Sequence, residues 1–570
     1  MNNQTAFVIN YHNRTKHSLE RYARGPETID WEDQPDQFRR FNGCNIVELP
    51  CPGKELDLLF ADLYKPESIP TSPFNLANIG LLLELAFGLS AWKQFGPSRW
   101  ALRCNPSSGN LHPTEAYLIN TDNNLAKPGI YHYVSHDHHL ERRCLFNQII
   151  PVSGILIGLS SIHWREAWKY GERAYRYCQH DTGHALGALR YAAATLGWSI
   201  ELLAEWSDDD IAHVLGLNRA DDFKKMEGES PDLICRINTG ANNTPVNRAA
   251  LLESAQSGKW SGLAASLRAY HFYKWPVIDK VALAASKPRT QEHQWKSIQQ
   301  ELIIKDQSNL IPGMVRQAQD ERNQRPAVRP ELVEGHIQPL HKSPCTKPAT
   351  AIIRQRRSAQ QFDGKMPPLP TADFYRMLAA VLPSTATFDL WRWPPKIHLF
   401  IFVHRVEGLE PGLYGLPRTD EALAKLRSAT LPNFAWQQVN TIADALPLYH
   451  LYSGNCRQIA KTLSCHQPIA SDSAFSLAMV AEFGETIEAS PWLYRRLFWE
   501  SGLIGQVLYL EAEAAGVRGT GIGCYFDDSV HEILGFKDNA FQSLYHFTIG
   551  KPLEDKRLET LPPYGHLDTN

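Results

Sequence analysis

The chain alternates apolar blocks with polar, turn-rich loops. Its most apolar windows are "NIGLLLELAFGLSAW" and "IIPVSGILIGLSSI". Both are too short to span a bilayer and the first carries Glu84, so both predict buried helix or strand. A third block, "RCNPSSGNLHPTEAYLI" (103–119), begins as a loop and ends as a buried strand after Glu115. Ser, Asn, Gly and Pro are turn formers, which is reason enough for the loop. The same residues are also short donors and accessible backbone amides, the material of a cradle for a planar cofactor.

The apolar pattern repeats. "AYRYCQHDTGHALGALRYAAATLGW" (174–198) lies over "LYRRLFWESGLIGQVLYLEAEAAGV" (493–517) at an offset of 319 residues. Tyr175 meets Tyr494, Arg176 meets Arg495, Asp181 meets Glu500, and Gly183 meets Gly502. The register continues without a gap into "DDDIAHVLGL" (208–217) and "DDSVHEILGF" (527–536). Two tandem copies of one domain are therefore expected, over 1–250 and 346–570. Between them, 251–345 reads as a structured arm with two tryptophans followed by a polar, proline-rich linker. Each copy predicts a long helix. In the first, Ala185, Gly187, Ala188, Ala192 and Ala193 form a face of small residues. That face suits tight internal packing or a pseudo-symmetric interface between the copies.

Composition narrows the class. A chain of 570 residues exceeds one ordinary core. Hydrophobic residues are 43% and charged residues 21%, and the net charge is −3. That is a soluble globular balance without a basic field, so nucleic acid and membrane are not expected partners. The first twenty residues lack a signal-peptide pattern. Ten cysteines occur with no C-x-x-C pair, which points to a reducing compartment, the cytoplasm.

Copy two opens with "AIIRQRRSAQQF" (351–362). Arg356, Arg357 and Ser358 are donors suited to phosphate. By themselves they also fit a solvated basic helix face.

These stretches carry a likeness. "RRSAQQF" resembles the start of the nitroreductase-like flavin family, and "NPSSGNLHPTEAYL" resembles its Pro-Ser-Ser segment. "YHNRTKHSLERYARG", "KYGERAYRY" and "DTGHALGAL" look like its SagB-type (ThcOx) dehydrogenase branch. The likeness covers most of both copies. It implies an α+β fold of tandem nitroreductase-like domains, each a mixed sheet packed between helices, forming an intrachain pseudo-dimer with FMN between the two. It places Arg356, Arg357, Ser358, Gln360 and Arg557 at the phosphate, with Gln360 standing where the family has arginine. Gly523 and Cys524 fall beside the flavin ring, and Pro106, Ser107, Ser108 and Asn110 on its other wall. The opposite half-site is expected to be blocked. Aligning Pro113 with Pro395 puts Leu390, Trp391 and Arg392 where Ser108, Gly109 and Asn110 stand. One FMN per chain follows.

The resemblance also marks Lys169 and Tyr170 as the catalytic pair of an azoline dehydrogenase, Lys169 as base and Tyr170 as orienting or relaying group. An exposed lysine beside a packing tyrosine is the plainer reading of the two residues alone. The expected substrate is a peptide thiazoline or oxazoline, or a small metabolite. Two alternatives stand beside it: an NAD(P)H-dependent nitro or quinone reductase, and a non-catalytic scaffold of a modification complex. "HYVSHDHH" (132–139) is rich in possible metal ligands, but its spacing fits no standard site and no metal is expected. His184 is a weaker candidate for the active site.

Overall fold

A computed structural model describes residues 3–50, 53–121, 125–148, 150, 155–224, 226–240, 245–267, 273–291, 345–440 and 446–567. The polar stretch 320–344, expected as a linker, lies outside them.

The apolar windows resolve into both kinds of element. In the first, α2 (Leu76–Phe87) follows the N-terminal helix α1 (Asn3–Arg14). Asn75 caps α2 by accepting from the Asn78 amide at 2.9 Å. Gly88 then turns the chain into β1 (Leu89–Phe95), which pairs with β2 (Ser98–Arg103). The loop expected after Arg103 leads into β3 (Thr114–Asn120), buried throughout. It is followed by β4 (Gly129–Val134), β5 (His139–Leu145) and β6 (Ile155–Ser161), the last formed by the second window. Helices α3 (His163–Tyr170) and α4 (Ala174–Thr195) cross to β7 (Ser199–Leu202), then come α5 (Asp208–Leu215) and β8 (Ser230–Asn238). Their sheet runs β5-β4-β3-β6-β8-β7.

After α6 (Arg248–Ser257) and α7 (Ala349–Gln355), the second half repeats this plan. It has β9 (Ile397–Val403), β10 (Gly412–Leu416), β11 (Tyr449–Ser453), β12 (Phe475–Glu482), α8 (Leu493–Ala514), β13 (Arg518–Ile522), α9 (Asp527–Leu534) and β14 (Phe541–Gly550). The order is β11-β10-β9-β12-β14-β13, the first sheet's order with every strand replaced by its counterpart. Helices α4 and α8, and α5 and α9, begin and end at positions 319 apart.

The sheets are antiparallel, not the mixed sheets that the resemblance implies. The pairings between the strands of each sheet are antiparallel. The helical crossover from β6 to β7 does join strands of the same direction, but β8 inserts between them and runs the other way. The β12, β13 and β14 strands repeat this arrangement. The arm after residue 250 carries regular structure. Helix α6 spans that position, and Lys259–Trp260 adds an edge strand beside β5.

The halves are interleaved. From the first half, His12 on α1 reaches Gln542 (3.2 Å) and Tyr494 (3.3 Å). From the second, the Ala349 amide on α7 donates to Leu58 O at 2.8 Å, and Arg354 pairs with Glu84 at 2.8 Å. The C-terminal strand β15 (Glu559–Leu561) pairs with β1. Between the sheets, α4 crosses α8 at equivalent glycines. A Cβ at Gly183 would stand 2.2 Å from Trp499 O, and one at Gly502 would stand 2.1 Å from His180 O. Buried ion pairs repeat across the crossing: Arg176 with Asp527 at 2.8 Å, and Arg495 with Asp208 at 2.5 Å. Among the described residues, no helix is long and apolar enough to cross a membrane.

Because the obstruction at Gly183 is backbone, Gly183→Val should destabilise the chain by about 1–3 kcal/mol or more. Gly25→Ala, where nothing lies within 4 Å, should be close to neutral. Thermal denaturation distinguishes the two, and equal midpoints would contradict the packing described.

Candidate functional site

A cavity of about 680 Å³ opens where the halves meet. The first half contributes the loop 105–112, Tyr170, Tyr177, Asp181 and His184. The second contributes Arg356, Arg357, Ser358, Gln360, Tyr509, Tyr545 and the segment 520–524.

The 105–112 loop is held in an unusual shape by its own polar groups. Gly109, Asn110 and His112 have φ of 61°, 61° and 50°, in the left-handed region. The His112 amide donates to Ser107 Oγ at 2.8 Å, and Asn110 Nδ2 donates to Ala101 O at 2.8 Å. The Ser108 amide and hydroxyl both donate to Asp181, each at 3.1 Å. These short side chains therefore build the wall. His112 Nε2 stands 3.1 Å from Asn110 Oδ1, while its Nδ1 and Asn105 Oδ1 are buried with no hydrogen-bond partner. Both residues line the cavity. A buried polar atom without a partner is costly, so these atoms call for a bound group carrying donors.

The opposite wall is glycine backbone pressed against tyrosine. A Cβ at Gly521 would lie 1.8 Å from the Tyr545 hydroxyl, and one at Gly523 would lie 2.3 Å from the Tyr177 ring. Arg173 and Tyr177 each donate to Gly523 O at 3.1 Å. Arg173 is fixed in turn by fully buried Asp527 at 3.0 Å.

One end of the cavity gathers Lys93, Arg357 and Arg518 together with Glu554, and Arg518 is ion-paired with Glu513 at 3.2 Å and with Glu554. Burial brings Arg357 down to about 10, helped by neighbouring Arg356. Arg356 is buried, with its guanidinium donating to Cys104 O and Arg103 O, both at 2.9 Å. Arg356 thus ties the second half's arm to the base of the first half's loop. Ser358 Oγ lies 2.8 Å from Tyr509 OH.

The other end holds titratable groups. Burial pushes Asp181 up to about 7, held back by hydrogen bonds from Ser107 and Ser108. Tyr170 lines the cavity, but Lys169 does not. Lys169 stands behind Gly109, its Nζ 3.2 Å from where a Gly109 Cβ would be and 5.6 Å from the Trp31 ring. Burial lowers its pKa, opposed by Glu166. Glu166 is fully buried and neither carboxyl oxygen has a hydrogen-bond partner. Burial, and then the proximity of Asp181, raise it well above the ordinary carboxylate range.

Most residues singled out in the sequence thus meet around one cavity: Pro106, Ser107, Ser108, Asn110, Tyr170, Arg356, Arg357, Ser358, Gln360, Gly523 and Cys524. Arg557 does not. Its exposed guanidinium is held by Asp555 at 2.7 Å and lies 5.7 Å over the Phe95 ring, because the carboxylate two residues away captures it at the rim. His184 lines the cavity with Nε2 3.0 Å from Tyr545 OH. Within "HYVSHDHH", His132 sits between Glu115 and Glu141 (2.9 and 3.0 Å) and His138 meets Tyr133. His136 and Asp137 come together with distant His566, but Asp137 is already paired with Arg40 at 2.9 Å.

Sequence reasoning missed Asp181, Tyr177, Tyr509 and Tyr545. Asp181 had a signal, since the repeat pairs it with Glu500. Tyr509 and Tyr545 had none, because only the fold brings them to the cavity. On the opposite side, Glu500 is consumed by an ion pair with Arg418. Trp391, Trp393, Trp492 and Trp499 pack there, with ring centroids 5.0–6.3 Å apart.

No family model matches the chain. A Methanocaldococcus jannaschii protein named as a nitroreductase is 23% identical over 157 residues, 25% of this chain and 76% of its own length. The crystal structure of an Anabaena variabilis protein described as a nitroreductase superposes with a TM-score of 0.60 at 20% identity. It covers 96% of this chain and 99% of its own. An E. coli microcin synthetase complex matches 42% of this chain and 94% of its own at 17% identity, but its TM-score of 0.26 carries no argument.

Asp181 holds its proton to about pH 7 when folded and to about pH 4 when unfolded. Its protonation therefore stabilises the chain fully below about pH 4, and that contribution is lost as pH rises through about 7. Asp181→Asn should flatten this part of the stability profile, read from urea midpoints. An unchanged slope would contradict the assignment. Taken with the Anabaena match, which spans both halves, the architecture is a nitroreductase-like fold.

Proposed function

We propose that the chain is an FMN-dependent oxidoreductase of nitroreductase type, similar to SagB-type dehydrogenases. In this reading its two halves form an intrachain pseudo-dimer around one flavin. The observation that carries it is the composite cavity. The Arg356-Arg357-Ser358 arm of one half faces the Pro106–Asn110 loop of the other, in a volume ordinary for a cofactor site.

The donor set fits FMN. Arg357 and Ser358, with Lys93, would hold the phosphate at their end of the cavity. The unpartnered acceptors on Asn105 and His112 suit the N–H edge of an isoalloxazine, and the Gly521–Cys524 backbone suits its face. Bound there, FMN would supply hydride chemistry at N5. The chain's own residues would manage the proton. Tyr170 faces the cavity, orients the substrate and relays the proton from carbon to Lys169 behind it. Burial favours the neutral form of Lys169 and, together with nearby Asp181, the neutral form of Glu166 over the carboxylate that would pair with it. Substrates of this chemistry are peptide thiazolines or oxazolines and small carbon acids.

The position of Lys169 behind Gly109 favours a second reading, an NAD(P)H-dependent nitro or quinone reductase. That chemistry needs no dedicated base.

The purified chain should release one FMN on denaturation. Two per chain would mean that the Trp391–Trp393 side is open, and none after incubation with FMN would overturn the oxidoreductase reading. Lys169→Ala should retain flavin and lower azoline-peptide turnover by about 10²–10⁴-fold. Unchanged turnover would transfer support to the reductase.

A further inference from the structure

Of the nine described cysteines, six are buried. Cys465 and Cys524 are different. Both are partly exposed and lie side by side, Sγ to Sγ 2.6 Å. They come from separate loops, Cys465 shortly after the helix Arg457–Leu463 and Cys524 just after β13.

Several contacts hold the loops together. Gln467 Nε2 donates to Cys524 O at 3.3 Å, and the Phe526 amide donates to Leu463 O at 2.9 Å. Cys465 and His466 have φ of 51° and 58°, two consecutive non-glycine residues in the left-handed region. Such strain persists only where surrounding contacts enforce it, and it gathers at functional sites. The surroundings also suit a thiolate. His17 stands beside Cys524, and Arg173, which holds the preceding carbonyl, is close. The hydrogen bond with Cys465 comes first, then His17 and Arg173, in bringing the Cys524 thiol down to about 5. Access is available, because both cysteines are partly exposed and Cys524 lines the cavity.

We propose that Cys465 and Cys524 form a thiol–disulfide exchange site for low-molecular-weight disulfides, with Cys524 attacking and Cys465 resolving. The Cys524 thiolate attacks one sulfur of RSSR, forming a mixed disulfide and releasing RS⁻. Cys465 gives up its proton and attacks the Cys524 sulfur, releasing the second RS⁻. The products are one Cys465–Cys524 disulfide and, after protonation, two RSH. Two thiols are oxidised and one small disulfide is reduced. The exchange itself draws on no flavin, but Cys524 borders the cavity assigned to FMN, so flavin-free chain is the form tested.

Incubation of the flavin-free full chain with glutathione disulfide, followed by intact mass and peptide mapping, tests the proposal. Wild type should lose two hydrogen atoms, gain a Cys465–Cys524 link and keep no adduct. Cys465→Ser should stop at one glutathione on Cys524, removable by dithiothreitol. Cys524→Ser should react roughly tenfold or more slowly. Matching thermal midpoints would show that the serine variants fold. The proposal fails if wild type keeps both thiols or retains an adduct. It also fails if Cys465→Ser gains no glutathione on Cys524, or if Cys524→Ser reacts as fast as wild type.

Discussion

The contact between Gly183 and Gly502 fixes everything else. Two long buried helices can approach this closely only where neither carries a Cβ, since the facing atoms are the carbonyls of Trp499 and His180. That approach brings Asp181, two residues from the crossing glycine, within electrostatic reach of the second half's Tyr545 and Tyr509. It also sets the register for Arg176 on Asp527 and Arg495 on Asp208. Buried ion pairs of this kind add little net stability but penalise any other alignment of the halves. The cavity is a consequence of the crossing.

The frame is symmetric and the chemistry is not. At equivalent positions, Asp181 receives two serine hydrogen bonds beside open space, whereas Glu500 is locked to Arg418. His184 faces the cavity, and Leu503 replaces it on the other helix. Tryptophans fill the second side. Fusion into one chain permits this divergence, because each half is free to specialise without changing its partner. The first half holds the 105–112 loop and the titratable groups, and the second holds the arginine arm and the glycine strand.

Much of this was legible in the sequence for identifiable reasons. The 319-residue register marked α4 with α8 and α5 with α9, because helix length and capping are set locally. The Pro-Ser-Ser loop was legible as a loop, although its serines turn out to brace Asp181. Strand direction was not legible, since the insertion of β8 between β6 and β7 is decided by long-range packing. Arg557 resembled a phosphate contact in sequence, but Asp555 competes for it. The partnership of Cys465 with Cys524 was invisible because 58 residues separate them in the chain.

The central claim is that one cofactor site is assembled from both halves, and FMN affinity tests it most directly. Titration of flavin-free chain, followed by flavin fluorescence, should be compared for Asn105→Ala and Ser358→Ala. Each removes a polar group from one wall only. Both should weaken binding by about tenfold, the loss of roughly one good hydrogen bond. If only one wall matters, the site belongs to a single half and the composite assembly is wrong.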